Sequence, residues 1–337
     1  MSTLPDHLRS RIVRYDELRP HKQSFIDARS PGSEDKESFS VIGGGVVENK
    51  KRHVHIDVPH PFNMGGARMP PGIVNGQHSH VTAEVFLLHR GTFTFTLGPN
   101  REDGELRLTL GDTISIPTRV FRGFRNDGDE VGHLVSVIGG PDPGKVTWAP
   151  YIFEDAQEHG LVLLQDGRLI DTHAGDTVPK DVPPVAPTTE ADVAALDRIG
   201  PEQMEGWYVR EASLVGDPAS PLAADGVEEC LVIGPPSPGE GLGAAPISAP
   251  HGFHLRRVRM QSGATIPAHS RAEEEVLFVQ SGAVRIGIEG QEVTLERGDY
   301  FTLPIGMPRT WEQIGDGPTD VQVTRGGDAP DAPHWTD

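Results

Sequence analysis

The chain has 337 residues, a formal net charge of −19, a single cysteine, 40 glycines and 30 prolines. That length provides for two domains with cores of their own, the acidic balance argues against nucleic acid as a partner, and the lone Cys230 excludes an intrachain disulfide and points to a reducing compartment. Residues 1–23 are polar and charged, with no apolar run of the signal-peptide kind, and no apolar stretch nears the ~20 residues of a membrane helix. The expectation is a soluble cytoplasmic protein with neither a nucleic-acid nor a membrane partner.

Turn-forming residues recur roughly every eight to twelve positions, the spacing of an all-β protein. Arg52 to Asp57 reads as a short strand carrying His53 and His55. Glu84 to His89 and Gly91 to Leu97 read as two strands about a glycine turn, with Thr92, Thr94 and Thr96 alternating with Phe93, Phe95 and Leu97 as a half-buried strand requires. Leu106, Leu108 and Leu110 continue the alternation before a Gly111-Asp112 turn, and His133 lies on the strand after it with Val135 and Val137. Pro179 to Pro187 is a Pro/Val-rich linker, followed by a short helix over Glu190 to Ile199 capped by Thr188 or Thr189. The second half repeats the first: Val284, Ile286 and Ile288 alternate in their turn.

The repeat is explicit. Residues 41–91 align without a gap on 232–282, so that Val41, Phe62, Gly72, His78, Glu84 and Gly91 fall on Val232, Phe253, Gly263, His269, Glu275 and Gly282. Beyond that point the offset falls by four, which places four extra residues in the turn-rich Pro99 to Gly104 segment of the first copy. Two copies argue for two homologous domains rather than a solenoid, which needs at least three units.

The chemistry sits in one constellation. The first copy reads Gly72-x5-His78-x-His80-x3-Glu84-x6-Gly91, then Gly111-Asp112-x4-Pro117. His78 and His80 are two apart, so on a strand both rings point to one face. Two imidazoles plus a carboxylate suit Fe(II), Mn or Zn. The second copy reads Gly263-x5-His269-x-Arg271-x3-Glu275-x6-Gly282, then Gly298-Asp299-x4-Pro304-x-Gly306. One imidazole has become an arginine there, and one imidazole with one carboxylate makes a poor metal site. Arg271 or Arg309 paired with Glu275 is expected instead, with one inward carboxylate in the run Glu273-Glu274-Glu275.

These paired motifs, over residues 40–140 and 230–325, resemble those of the cupin superfamily, and the whole chain resembles a bicupin. The resemblance implies an all-β protein of two tandem barrels, each of two facing antiparallel sheets in the double-stranded β-helix (jelly-roll) arrangement: an N-terminal barrel with a leading segment (1–178), a linker with a short helix (179–205), and a C-terminal barrel with a degenerate site (206–337). It also implies that Glu84 returns to the metal held by His78 and His80. The family's final histidine falls on Arg122, which cannot donate a lone pair, and in the second copy on Arg309. What remains is the two-histidine, one-carboxylate set of non-haem Fe(II) oxygenases, so the expected cofactor is a divalent metal, Fe(II) first, with Mn, Zn or Ni as alternatives. Arg122 is the candidate catalytic residue, a fixed charge that orients an anionic substrate; the competing arrangement is an Arg122–Glu84 ion pair that neutralises the site and excludes metal. The N-terminal barrel is then expected to act as a dioxygenase on a small carboxylated substrate, hydroxylated aromatic acids included, with a distant resemblance to gentisate- and salicylate-type ring-cleaving enzymes and a homo-oligomeric assembly. The alternatives are a metal-dependent decarboxylase, lyase or isomerase, or a non-catalytic anion-binding cupin.

Overall fold

The computed structural model describes residues 4–49 and 51–336. It divides into two compact units, one of residues 19–54 and 63–207, the other of residues 4–18, 55–62 and 208–336. The leading segment therefore belongs with the C-terminal barrel. Ile12 and Val13 add an edge strand opposite Phe301 and Tyr300, and Asp299 locks it by accepting from Arg14 Nη1 (2.6 Å) and Tyr15 N (3.0 Å).

The N-terminal unit holds two antiparallel sheets. One runs Thr113–Ile116, Glu84–Arg90, Gly132–Gly139, Phe62–Met69, Glu37–Ile42, and the other Thr147–Trp148, Val74–Ser79, Arg122–Asn126, Phe93–Leu97, Gly104–Leu108. Phe86, Phe95 and Phe124 fill one end of the space between them, with ring centroids 5.2 to 5.4 Å apart, distances at which tilted and edge-on aromatic pairs add to simple burial. Strand Phe93–Leu97 is buried on both faces rather than half-buried. Its threonines face protein, and Thr96 Oγ1 donates to Gln77 Oε1 at 2.9 Å. The next strand ends at Leu108, and Leu110 is exposed.

The C-terminal unit repeats the plan: Tyr300–Leu303, Glu275–Ser281, Thr319–Gly326, Phe253–Met260, Val227–Ile233 face Gln291–Glu296, Ala283–Ile288, Arg309–Ile314, Thr265–Ser270, His334–Trp335. Val258, Leu277, Phe301, Trp311 and Val321 form its apolar core. The four-residue offset lies where expected. Residues 98–103 connect Phe93–Leu97 to Gly104–Leu108, whereas Glu289-Gly290 alone connects the corresponding strands. Both Glu289 and Gly290 have positive φ, as a tight two-residue hairpin requires.

Between the two repeats in sequence, and within the first unit, a short helix, Glu190–Ala194, begins at Thr189. Its hydroxyl accepts from Asp192 N at 3.2 Å while Thr189 N donates back to Asp192 Oδ2 at 2.8 Å, a reciprocal cap. Among the described residues no helix is long and apolar enough to cross a membrane.

Phe301 is fully buried in the second core. Phe301→Ala should therefore cost about 3–5 kcal/mol, measured as a fall in the urea midpoint at unchanged slope.

Candidate metal centre

Strand pairing builds the site. Val74–Ser79 lies between Arg122–Asn126 and Thr147–Trp148, so His78 stands opposite Arg122 on one side and Trp148 on the other. His80 follows at the end of the strand, and Glu84 opens the strand of the facing sheet. The result is a buried triad in which the ligand atoms of His78, His80 and Glu84 all lie within 4.8 Å of one another. A cation bonded to each at ~2.1 Å needs donors within about 4 Å of one another, so the triad must close slightly around it.

The donor atoms are in the right chemical state. His78 Nδ1 donates to the Gly76 carbonyl at 2.7 Å, which fixes the tautomer and leaves Nε2 as the donor of a lone pair. His80 Nε2 lies 3.3 Å from Glu84 Oε2, out of line for a hydrogen bond. Burial, then the Arg122 charge, keeps both imidazoles below their ordinary range, His78 well below it. Burial alone would raise the Glu84 carboxyl, but Arg122 and then His80 outweigh it and hold Glu84 down to about 2. At neutral pH the triad is thus two neutral imidazoles and a carboxylate, the forms that bind metal.

Arg122 is 1% exposed. Its Nη2 bonds Glu84 Oε2 and its Nη1 donates to the His78 carbonyl at 3.2 Å. Both contacts to the carboxylate use Oε2, which leaves Oε1 for a cation. The Arg122–Glu84 ion pair expected as the competing arrangement is therefore formed, and a cation here would have to be held beside it. Arg119 is exposed and Arg125 half-buried, so of the three only Arg122 enters the barrel.

The triad opens into a cavity with room of about 80 Å³ for the centres of water-sized molecules. Besides the triad its walls include Phe39, Met64, Phe86, Ile138 and Trp148, with Val46 and Val47 from the segment before the mouth. Gly65 in its wall has no room for a side chain: a Cβ there would come within 2.5 Å of the Phe39 carbonyl.

The remaining candidate histidines lie outside the triad. His53 is exposed and His55 half-buried. His133 is buried and packs edge-on against His89 with centroids 5.4 Å apart, and against Phe39. This His89–His133 pair was not foreseen, because it depends on the pairing of strands far apart in the chain. The polar surroundings of His78 were missed too. Asn75 Nδ2 lies 3.2 Å from His78 Nδ1, and the buried Lys36 donates to Asn75 Oδ1 (2.6 Å) and Asp27 Oδ2 (2.5 Å).

The second barrel is built differently at the same place. Arg309 Nη2 donates to Glu275 Oε1 (2.7 Å), as one of the two expected pairings required, and Arg325 Nε donates to Oε2 (2.8 Å). Arg271 turns instead to Glu240 Oε1 (2.7 Å), and Arg325 also reaches Glu229 (2.8 Å). All these side chains are at most 1% exposed. The repeat alignment explains the difference. Ser38, Gly65, His80 and Ile138 line the first cavity; their counterparts are Glu229, Arg256, Arg271 and Arg325. Small and apolar wall residues have become long charged ones that cross the barrel and pair with one another. Within the acidic run, Glu275 is buried and Glu273 and Glu274 are half-buried.

Cupin domains match at residues 67–138 and 256–324, the two barrels just described. The chain is a bicupin of the cupin superfamily. Solved structures with the same architecture include an oxalate decarboxylase of Lactobacillus farciminis in complex with formate (12% identity, 99% of this chain and 90% of that one, TM-score 0.58). They also include an oxalate decarboxylase variant of Bacillus subtilis (12%, 99% and 80%, TM-score 0.57) and the vicilin of hazelnut, Corylus avellana (10%, 95% and 86%, TM-score 0.55). At these identities the likeness is one of fold. No curated protein matches the bicupin by sequence.

Two outcomes follow from this geometry. Arg122→His replaces a cation with a fourth ligand, and since a unit charge ~4 Å away is worth a few kcal/mol at an effective dielectric near 20, divalent-metal affinity should rise by at least about tenfold in chelator competition. In metal-stripped bicupin, imidazoles with depressed folded pKa values contribute stability above their unfolded value near 6.5 and lose it as pH falls below that. The urea midpoint should therefore drop between pH 7 and pH 5, with a shallower drop in His78→Asn.

Proposed function

We propose that the bicupin is a mononuclear metal enzyme whose N-terminal barrel acts on a small organic acid. The observation that carries this is the buried triad, with neutral imidazoles and an ionised carboxylate, opening onto a cavity that its counterpart in the second barrel has filled. His78, His80 and Glu84 would hold the cation, which supplies a Lewis acid for a carboxylate or carbonyl oxygen. Arg122 positions Glu84, and its charge reaches a bound acid through that carboxylate. The apolar walls exclude bulk water, which strengthens every charge interaction inside. The C-terminal barrel is a packed, metal-free partner domain.

Carbon–carbon cleavage without oxygen, of the decarboxylase or lyase class, is placed first. The support is the shared architecture with enzymes named as oxalate decarboxylases, and the Mn(II) centres named for the Bacillus subtilis enzyme (13% identity, TM-score 0.55). Manganese accordingly joins iron as the first metal to load. One observation favours the oxygenase reading: three protein ligands, rather than four, leave positions for both a substrate and dioxygen. Protein loaded separately with Mn(II) and Fe(II) and given a panel of small carboxylic and hydroxylated aromatic acids separates the two. Carbon dioxide release without oxygen uptake is the expected outcome, oxygen consumption by the Fe(II) form selects the dioxygenase, and turnover that survives His78→Ala contradicts both.

A further inference from the structure

Apart from the triad, the cavity is lined by apolar side chains and uncharged polar groups. Among the latter, Ser38 and Ser136 come from strands Glu37–Ile42 and Gly132–Gly139, which flank the strand that carries Gly65, and Ser136 stands opposite Phe86, one alternate pair along from Ile138 and Glu84. Ser136 Oγ lies 3.5 Å from where a Gly65 Cβ would be, so the missing side chain exposes the hydroxyl to the cavity. Neither the Ser38 nor the Ser136 hydroxyl has a hydrogen-bond partner among the described residues, and neither is sealed from solvent-sized space. Phe39, Met64 and Ile138 also line it, Ile138 opposite Glu84.

What the cavity does not offer matters as much. Among the described residues lining it there is no lysine or arginine, and its one acid is Glu84. Arg122 is committed to Glu84 and to the His78 carbonyl; Lys36 is committed to Asp27 and Asn75. A ligand's first acidic group can be neutralised by a metal at the triad. A second would be buried against apolar walls and neutral hydroxyls, where an unpaired charge is strongly disfavoured. A neutral hydroxyl or carbonyl there meets two Ser hydroxyls, which both donate and accept.

We infer that the first barrel selects a small molecule with one acidic head and an uncharged tail that bears a hydrogen-bonding group, and rejects dicarboxylates. This rests on the proposed metal role of the triad and narrows it to a substrate class.

The matched probes are 4-hydroxybutanoate, butanoate and succinate, which differ at the far end only. Metal stoichiometry of the Mn(II)-loaded full chain is measured first. Binding is then read from the relaxation of ligand protons by the bound Mn(II). Affinity should fall in the order 4-hydroxybutanoate, butanoate, succinate, with succinate weaker than 4-hydroxybutanoate by at least about tenfold. Ser136→Ala should weaken 4-hydroxybutanoate by roughly fivefold, the size of one hydrogen bond, and leave butanoate and metal content unchanged. Succinate binding as tightly as 4-hydroxybutanoate overturns the inference, as does a Ser136→Ala variant that binds all three like the parent. Failure to take up Mn(II) at all, or ligand binding that persists in His78→Ala, contradicts the metal role instead and is seen before the probes are compared.

Discussion

The antiparallel pairing that sets Arg122 opposite His78 decides the character of this barrel. It brings a guanidinium to the carboxylate of Glu84 in a place almost sealed from water. A buried arginine without a counter-charge would be strongly destabilising, and so would a buried glutamate; each makes the other tolerable. The pair also sets the protonation of everything beside it, keeping Glu84 ionised and the two imidazoles neutral. With Arg122 and Glu84 balanced, a divalent cation leaves the site with excess positive charge. An acid is the natural ligand for such a pole, and it needs no arginine of its own.

The two barrels resolve one design problem in opposite ways. Both place a histidine, a glutamate and an arginine at corresponding positions: His78, Glu84 and Arg122 against His269, Glu275 and Arg309. In the first, Gly65 and Ile138 leave space around the glutamate. In the second, Arg256 and Arg325 occupy those positions, and Glu275 is bracketed by Arg309 and Arg325 on its two oxygens. Guanidinium groups thus take the place that a cation and its ligand field would occupy. Replacing such a network with apolar residues is often neutral or stabilising, so it is better read as filling the barrel than as a source of stability.

Much of this was legible in the sequence. The repeat, the short strands, the His78–His80–Glu84 triad and the turn that absorbs four residues all follow from local signals: glycine at turns, alternation on strands, ligand types at strand spacing. Barrel closure was not legible from those signals, since it depends on which distant strands pair. For that reason Arg325 at Glu275, Glu240 at Arg271 and the exchange of the leading segment into the second unit escaped notice. The same holds for the buried Lys36 behind Asn75 and His78, which comes from a distant segment of the chain. One signal was available and unused. Set against the first copy, Arg256 stands where Gly65 does and Arg325 where Ile138 does, and charged residues at cavity-facing positions mark a closed site.

Crystals of the chain purified without chelators, measured on both sides of the Mn and Fe absorption edges, would locate any metal directly. The account requires one anomalous peak per chain, within bonding distance of His78, His80 and Glu84, and none between His269 and Glu275. No peak at the first triad, or a second peak in the C-terminal barrel, would contradict it.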